Sequence, residues 1–186
     1  MLQDLDKTIQ SLLVGELPEL ADRVHFETPF DDYAMSMPSV NLFLYDVREH
    51  RELRSGEWRD ERQGDGSFLR RRPPVRVACA YLITAWAADI ADEHRLLGEV
   101  MRALLRYPRI PTALLVGELR GPSVPTTALQ ASNLQSLGEF WQGMRGKPRA
   151  ALAYTVTISV DAGGPPETLQ PVEEQIIRIR PGVEGP

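Results

Sequence analysis

Cysteine is nearly absent from this 186-residue chain, which contains one, Cys79. A single thiol cannot close an internal disulfide, and its setting in VRVACAYLITAW reads as buried strand, where a thiol serves as a small hydrophobe. Folding in a reducing cytoplasm fits that usage. Positive charge is short as well, with 21 Lys and Arg against 26 Asp and Glu and a formal charge of −5. No surplus of cations is available to neutralise a phosphate backbone, so no nucleic-acid partner is expected. Histidine occurs three times, at His25, His50 and His94, never in His-x-x-x-His or Cys-rich metal spacing. Surface or edge positions are expected for all three, with no metal and no cofactor. Long apolar runs are missing too: the longest, Val77 to Ala88, is interrupted by Thr84 and is too short to cross about 30 Å of hydrocarbon as a helix. The opening MLQDLDKTIQ lacks the basic start and unbroken apolar core of a signal peptide, so neither secretion through such a peptide nor a membrane span is expected.

The remaining composition, 42% apolar, 25% charged and 7% aromatic, is that of an ordinary globular domain. A chain of this length buries roughly 70% of the surface its unfolded form exposes, enough for one core. The expectation is a single domain over residues 1–180 with a projecting excursion at about 48–74 and a flexible tail at 181–186. Leu2, Leu5, Ile9, Leu12, Leu13 and Leu17 predict an amphipathic helix ended by Pro18. Arg23 to Glu27 alternates as a short strand, and Val40 to Val47 reads as a second strand near the centre of a sheet. Val75 to Trp86 is rich enough in β-branched and aromatic residues for a long central strand. Asp89 or Asp92 can cap a following helix whose apolar face comprises Leu96, Leu97, Val100, Met101, Leu104 and Leu105, stopped by Pro108 and Pro111. Thr112 to Val116 is ambiguous between strand and helical turn. A short extended piece at Ser123 to Leu129, a helical turn within 134–146 seating Phe140 and Trp141, and a strand over Ala151 to Val160 come next. A last strand is expected over Val172 to Arg180. The order predicts an α+β fold: a single mixed, mostly antiparallel sheet with two main helices packed on one side.

Arginine supplies 19 of the 21 bases, and nine of the 19 fall between Arg48 and Arg76. Genome base composition produces such a bias without selection, yet Arg is also the cation suited to bidentate ion pairs at interfaces. The excursion is punctuated by Ser55-Gly56 and Gly64-Asp65-Gly66. It reads either as a long loop or as a hairpin with its tip at Gly-Asp-Gly. Arg70-Arg71-Arg72 at its base would repel one another unless acids faced them. Trp58, Arg59, Arg62, Arg70, Arg71 and Arg72 are the candidate docking residues here, since Trp and Arg concentrate energy at interfaces. Ile176, Ile177, Arg178 and Ile179 in the last strand either close the sheet or pair with another subunit at an edge.

Candidates for catalysis are weak. There is no Gly-x-Ser-x-Gly turn, and Gly143-Met-Arg-Gly146-Lys147 lacks the spacing and the Ser or Thr of a phosphate loop. The acidic pairs Asp31-Asp32 and Asp60-Glu61 fall on expected loops, where adjacent acids are solvated. A metal-dependent hydrolase or ligand-binding domain built around Asp31, Asp32 and Asp46 is the alternative from a different class.

Three segments in order, Pro111-Thr-Ala-Leu-Leu, Leu137-Gly-Glu-Phe-Trp and Gly146-Lys-Pro-Arg-Ala-Ala-Leu-Ala-Tyr-Thr-Val-Thr-Ile, resemble the N-terminal domain of tail-terminator, or cap, proteins of extracellular contractile injection systems. Ser39-Val-Asn-Leu-Phe-Leu-Tyr, Tyr81-Leu-Ile-Thr-Ala-Trp and Ala88-Asp-Ile-Ala-Asp-Glu-His-Arg-Leu-Leu-Gly98 extend the resemblance over about residues 2–180. It implies a non-enzymatic structural protein of a phage-tail-like particle, assembled in the bacterial cytoplasm. Such a cap would form a homo-oligomeric, hexameric ring that ends the inner tube and anchors the last layer of sheath. Sheath protein and inner-tube protein are the implied partners. Function residing in the C-terminal extension of longer relatives is expected to be absent. A tail-completion protein of a contractile-tailed phage is the alternative within the same class.

Overall fold

The computed structural model describes residues 1–29, 37–121, 124–129, 137–143, 147–164 and 166–169. Asp31, Asp32, the strand expected at 172–180 and the tail at 181–186 lie outside the described residues. Two compact units form, one from Met1–Arg54 with Val75–Val160, the other from Ser55–Pro74 with the described residues from Asp161 on.

In the first unit, three-and-four spacing makes helix α1 (Leu2–Glu16), which buries Leu5, Thr8, Ile9, Leu12 and Leu13. Pro18, lacking an N–H, opens a separate 3-10 turn, Pro18–Leu20. The strands β1 (Val24–His25), β2 (Ser39–Glu49), β5 (Val75–Trp86), β7 (Ala151–Val160) and β6 (Thr126–Leu129) form one sheet in that spatial order. Only β1 and β2 run parallel; the other neighbours are antiparallel. The expected mixed, mostly antiparallel sheet is therefore present, and β5 lies at its centre.

Alternation along β5 divides the molecule into its layers. Cys79, Tyr81, Ile83 and Ala85 share a core with Leu5, Ile9, Leu12 and Leu13 of α1. Helix α2 (Ile90–Leu105) adds Leu96, Leu97, Val100, Ala103 and Leu104 to the same core. Each fully buried Leu or Ile contributes about 1.5–3 kcal/mol of transfer free energy, so this face holds the two main helices to the sheet. Ala78, Ala80, Leu82, Thr84 and Trp86 point the other way and are buried as well. There the short helix α3 (Leu137–Gly143) covers part of the sheet: Phe140 meets Phe43 at 6.1 Å between ring centroids, and Trp141 is buried. The Arg149 guanidinium lies 3.9 Å from the Trp86 ring centroid and pairs with Glu93.

Asp89 caps α2, its carboxylate accepting the Asp92 N–H at 2.9 Å, a contact of about 1 kcal/mol. Met101 and Leu105 depart from the expected apolar face: they are 38% and 59% exposed. The buried arc of α2 is narrower than its apolar arc. The ambiguous Thr112–Leu114 is a 3-10 turn, followed by a second at Gly117–Leu119. Gly117 adopts φ +54°, and a Cβ there would fall 2.4 Å from the Asp4 carboxylate, which accepts the Glu118 N–H.

The second unit is a hairpin with an added strand. β3 (Arg59–Arg62) and β4 (Phe68–Arg71) pair antiparallel, and β8 (Glu167–Leu169) pairs with the outer edge of β4. The excursion is thus the hairpin alternative, and β8 makes with it a small second sheet of three strands.

Candidate interaction surface

The hairpin tip closes through local chemistry. Gly66 N–H donates to the Gln63 carbonyl at 3.1 Å and Gln63 N–H to the Ser67 carbonyl at 2.8 Å. Gly66 takes φ +88°, the left-handed conformation that this three-residue loop requires. Asp65 Oδ1 accepts from both Ser67 N–H, at 3.0 Å, and Ser67 Oγ–H, at 2.6 Å. These two donors hold its carboxyl below the ordinary range, the hydroxyl contributing most.

From that tip the register pairs Arg59 with Arg71, Asp60 with Arg70, Glu61 with Leu69 and Arg62 with Phe68. Two of these arginines, Arg70 and Arg71, meet acids of their own arm. Arg70 Nε and Nη2 donate to the two oxygens of Asp60 at 2.8 Å each, a bidentate fork. The hydrogen bond from Arg70 is the main reason that the Asp60 carboxyl lies below its usual range. Arg71 comes within 4.0 Å of Glu61. Arg72 lies 5.1 Å from the ring centroid of Trp58, a cation–π contact. Trp58 stays 42% exposed. Trp58, Arg70, Arg71 and Arg72, with Gly164 and Pro166, line a recess of about 200 Å³.

Of the ten candidate residues, Trp58, Arg70, Arg71 and Arg72 are therefore brought together. Arg62 is exposed on β3, and Arg59 occupies the strand position opposite Arg71. Ile176, Ile177, Arg178 and Ile179 lie outside the described residues. Sequence reasoning treated Asp60-Glu61 as solvated and missed their pairing with Arg70 and Arg71. The signal was present: a hairpin centred on Asp65 sets residues whose numbers sum to 130 opposite one another.

A second surface lies on the first unit, where β2 ends. A groove of about 650 Å³ is lined by Asp46, Arg48, Glu49, His50, Arg51, Glu52, Ala78, Ala80 and Thr155. Asp46 pairs with Arg48 and Glu49 with Arg54, each at 3.3 Å. Among the described residues, no group of three or more His, Cys, Asp or Glu side chains could hold a metal ion. No helix there is long and apolar enough to cross a membrane.

The described residues thus form a packed sheet-and-helix unit and a hairpin in which Arg70 and Arg71 pair with acids of the same arm beside an exposed tryptophan. The chain belongs to the Pvc16 N-terminal domain family, whose model matches residues 4–174. Among solved structures, it is similar to the PVC sheath/tube terminator of an extracellular contractile injection system in the extended state, seen by cryo-EM. The two are 27% identical with a TM-score of 0.71, and the match covers 99% of this chain and 65% of the other. The cryo-EM structure of the anti-feeding prophage cap, a tube terminating cap, is also 27% identical, with a TM-score of 0.68, over 96% of this chain and 62% of that one. The chain thus spans slightly less than two thirds of the length of these structures. A search of curated proteins returns no match.

Proposed function

We propose that the chain is a terminating cap of a contractile injection system, which ends the inner tube and anchors the last sheath layer at the end distal to the baseplate. The observation that carries this reading is the likeness of 99% of the chain to a sheath/tube terminator at a TM-score of 0.71. Its action is assembly rather than catalysis, within a phage-tail-like particle built in the bacterial cytoplasm. Residues 1–180 serve as one module whose arm projects toward neighbouring subunits.

Six copies close a ring, which requires two different, mutually complementary patches on every subunit. The arm is one of them. Because Arg70 and Arg71 face Asp60 and Glu61, they shape the arm, leaving Trp58 and Arg72, with Arg59 and Arg62, as its contact points. The segment with Ile176, Ile177, Arg178 and Ile179 supplies the other, adding a strand to a neighbouring cap or sheath subunit through main-chain hydrogen bonds. Electron microscopy of particles from cells lacking this protein tests the reading. Tubes and sheaths of uncontrolled length, or sheaths that detach, are expected; particles of normal length and integrity would overturn it.

A further inference from the structure

The two edges of the five-stranded sheet differ. Beside β6, the Thr127 N–H donates to the Pro108 carbonyl at 3.0 Å, the Ile110 N–H donates to the Pro125 carbonyl at 3.1 Å, and Arg109 stands opposite Thr126. A proline-flanked segment therefore closes that edge. At the other edge, β1 pairs with Val40 and Asn41 alone of the 11 residues of β2. There the buried Asn41 side chain takes the place of a further ladder step: its Oδ1 accepts the Glu27 N–H at 2.9 Å and its Nδ2 donates to the Glu27 carbonyl at 2.8 Å. Beyond that amide, no strand pairs with this side of β2 among the described residues.

Two hydrogen bonds fix which backbone groups of β2 face outward. The Val40 N–H donates to the Arg23 carbonyl at 2.9 Å, away from β5, whereas the His50 N–H donates to the Arg76 carbonyl at 2.8 Å, on the β5 side. The bulge between Leu44 and Asp46 accounts for the change of phase. Counting back from His50, Arg48 and Asp46 turn their N–H and C=O groups to β5, and Val47 and Glu49 turn theirs outward. Val47 lies opposite Cys79, on the face that carries the helices, yet is 46% exposed. A strand laid along Asp46–Glu49 takes up the four outward groups, and an apolar residue beside Val47 completes that face.

The chain contains a segment of that pattern. In an extended Gln175-Ile-Ile-Arg-Ile179, Ile177 and Ile179 share one face while Ile176 and Arg178 share the other. We infer that the β2 edge at Asp46–Glu49 receives this segment from a neighbouring copy, antiparallel and with Ile177 opposite Val47. The inference rests on the cap reading, in which the segment adds a strand to a neighbour, and it supplies the acceptor. Donor segment and acceptor edge are different surfaces of one subunit, so the contact runs head-to-tail and repeats around a ring.

Cysteine pairs read the register. Cys79 is buried, so introduced thiols are the accessible ones. The assay uses lysates of cells that produce a tagged copy with Val47→Cys and an untagged copy with one cysteine at position 176, 177 or 178. Under mild oxidation Ile177→Cys should link to the tagged copy roughly tenfold faster than Ile176→Cys or Arg178→Cys, because directly opposed residues stand about 5.5 Å apart, within disulfide reach, while those two turn to the other face. Glu49→Pro removes one outward N–H and leaves the ladder to β5 intact. Added to the Val47→Cys copy, it should bring the fast pair down to the rate of the slow ones, with a thermal melt that stays cooperative. No linkage between copies, equal rates at the three positions, or a fast pair untouched by Glu49→Pro in the folded protein would overturn the inference. The cap reading fails on a different result, particles of normal length from cells lacking the protein.

Discussion

Replacing Tyr81 with Phe tests how α1 is fastened to the sheet. Tyr81 is fully buried in the middle of β5, and its hydroxyl donates to Asp6 Oδ1 at 2.8 Å. Burial, then Asp6 itself, pushes the phenol above the usual tyrosine range, so it remains a donor at every working pH. Phe fills the same ring volume, which leaves the hydrogen bond as the main loss. A hydrogen bond to a charged acceptor contributes about 1.5–3 kcal/mol; for a chain of this size that corresponds to a fall in Tm of about 3–12 °C. The acceptor carries a penalty of its own. Burial raises the Asp6 carboxyl above its ordinary 3.8, against the opposing effect of Tyr81. Because the folded pKa exceeds the unfolded one, what Asp6 contributes to stability is fully present below the ordinary value and is lost as pH rises through the folded one. Asp6→Asn keeps an acceptor and removes the charge. It should therefore stabilise the protein at neutral pH, with a gain that shrinks as pH falls toward 3.8. Urea denaturation across that range, with thermal melts of Tyr81→Phe, measures both effects. A Tm unchanged by Tyr81→Phe, or an Asp6→Asn effect that does not vary with pH, would refute the reasoning.

Trp58→Ala should separate assembly from stability. The exposed cation–π contact with Arg72 supports only about 0.5–1 kcal/mol of folding, whereas loss of an interface anchor costs at least about 2 kcal/mol, roughly a thirtyfold weaker association. Native mass spectrometry and co-sedimentation with particles measure this, and undiminished association would remove the arm from the interface. At Cys79 burial pushes the thiol up to about 11, so a thiol reagent should label the chain only on unfolding; prompt labelling of the native protein would contradict the packing of β5.

Periodicity made α1, β5 and β7 legible in the sequence, because each buries a face of unbroken apolar spacing. The Gly-Asp-Gly tip allowed a hairpin beside a long loop, and the pairing of β3 with β4 decides for the hairpin. β8 escaped notice: Glu167-Thr168-Leu169 has no alternation of its own and exists by pairing with β4. Hydrophobic spacing also cannot distinguish a residue that meets the core from one left at the surface beside it, which is why Met101 and Leu105, both exposed, read as interior. The same limit governs the arm. Nine clustered arginines look like free cations until a register sets Asp60 opposite Arg70, and pairing across strands becomes visible only when the turn is used to count outward.

The central position of β5 bears on how the protein is made. When a ribosome has produced Trp86, one edge of β5 can already pair with β2, but its other edge belongs to β7, which ends at Val160. At roughly 5–20 residues per second, the 74 residues from 87 to 160 take about 4–15 s to appear. Through that interval VRVACAYLITAW, with one charge in twelve residues, presents an open edge suited to joining other strands. The nascent chain rather than the finished protein is the species most exposed to aggregation, and slower, cooler expression should raise the soluble yield.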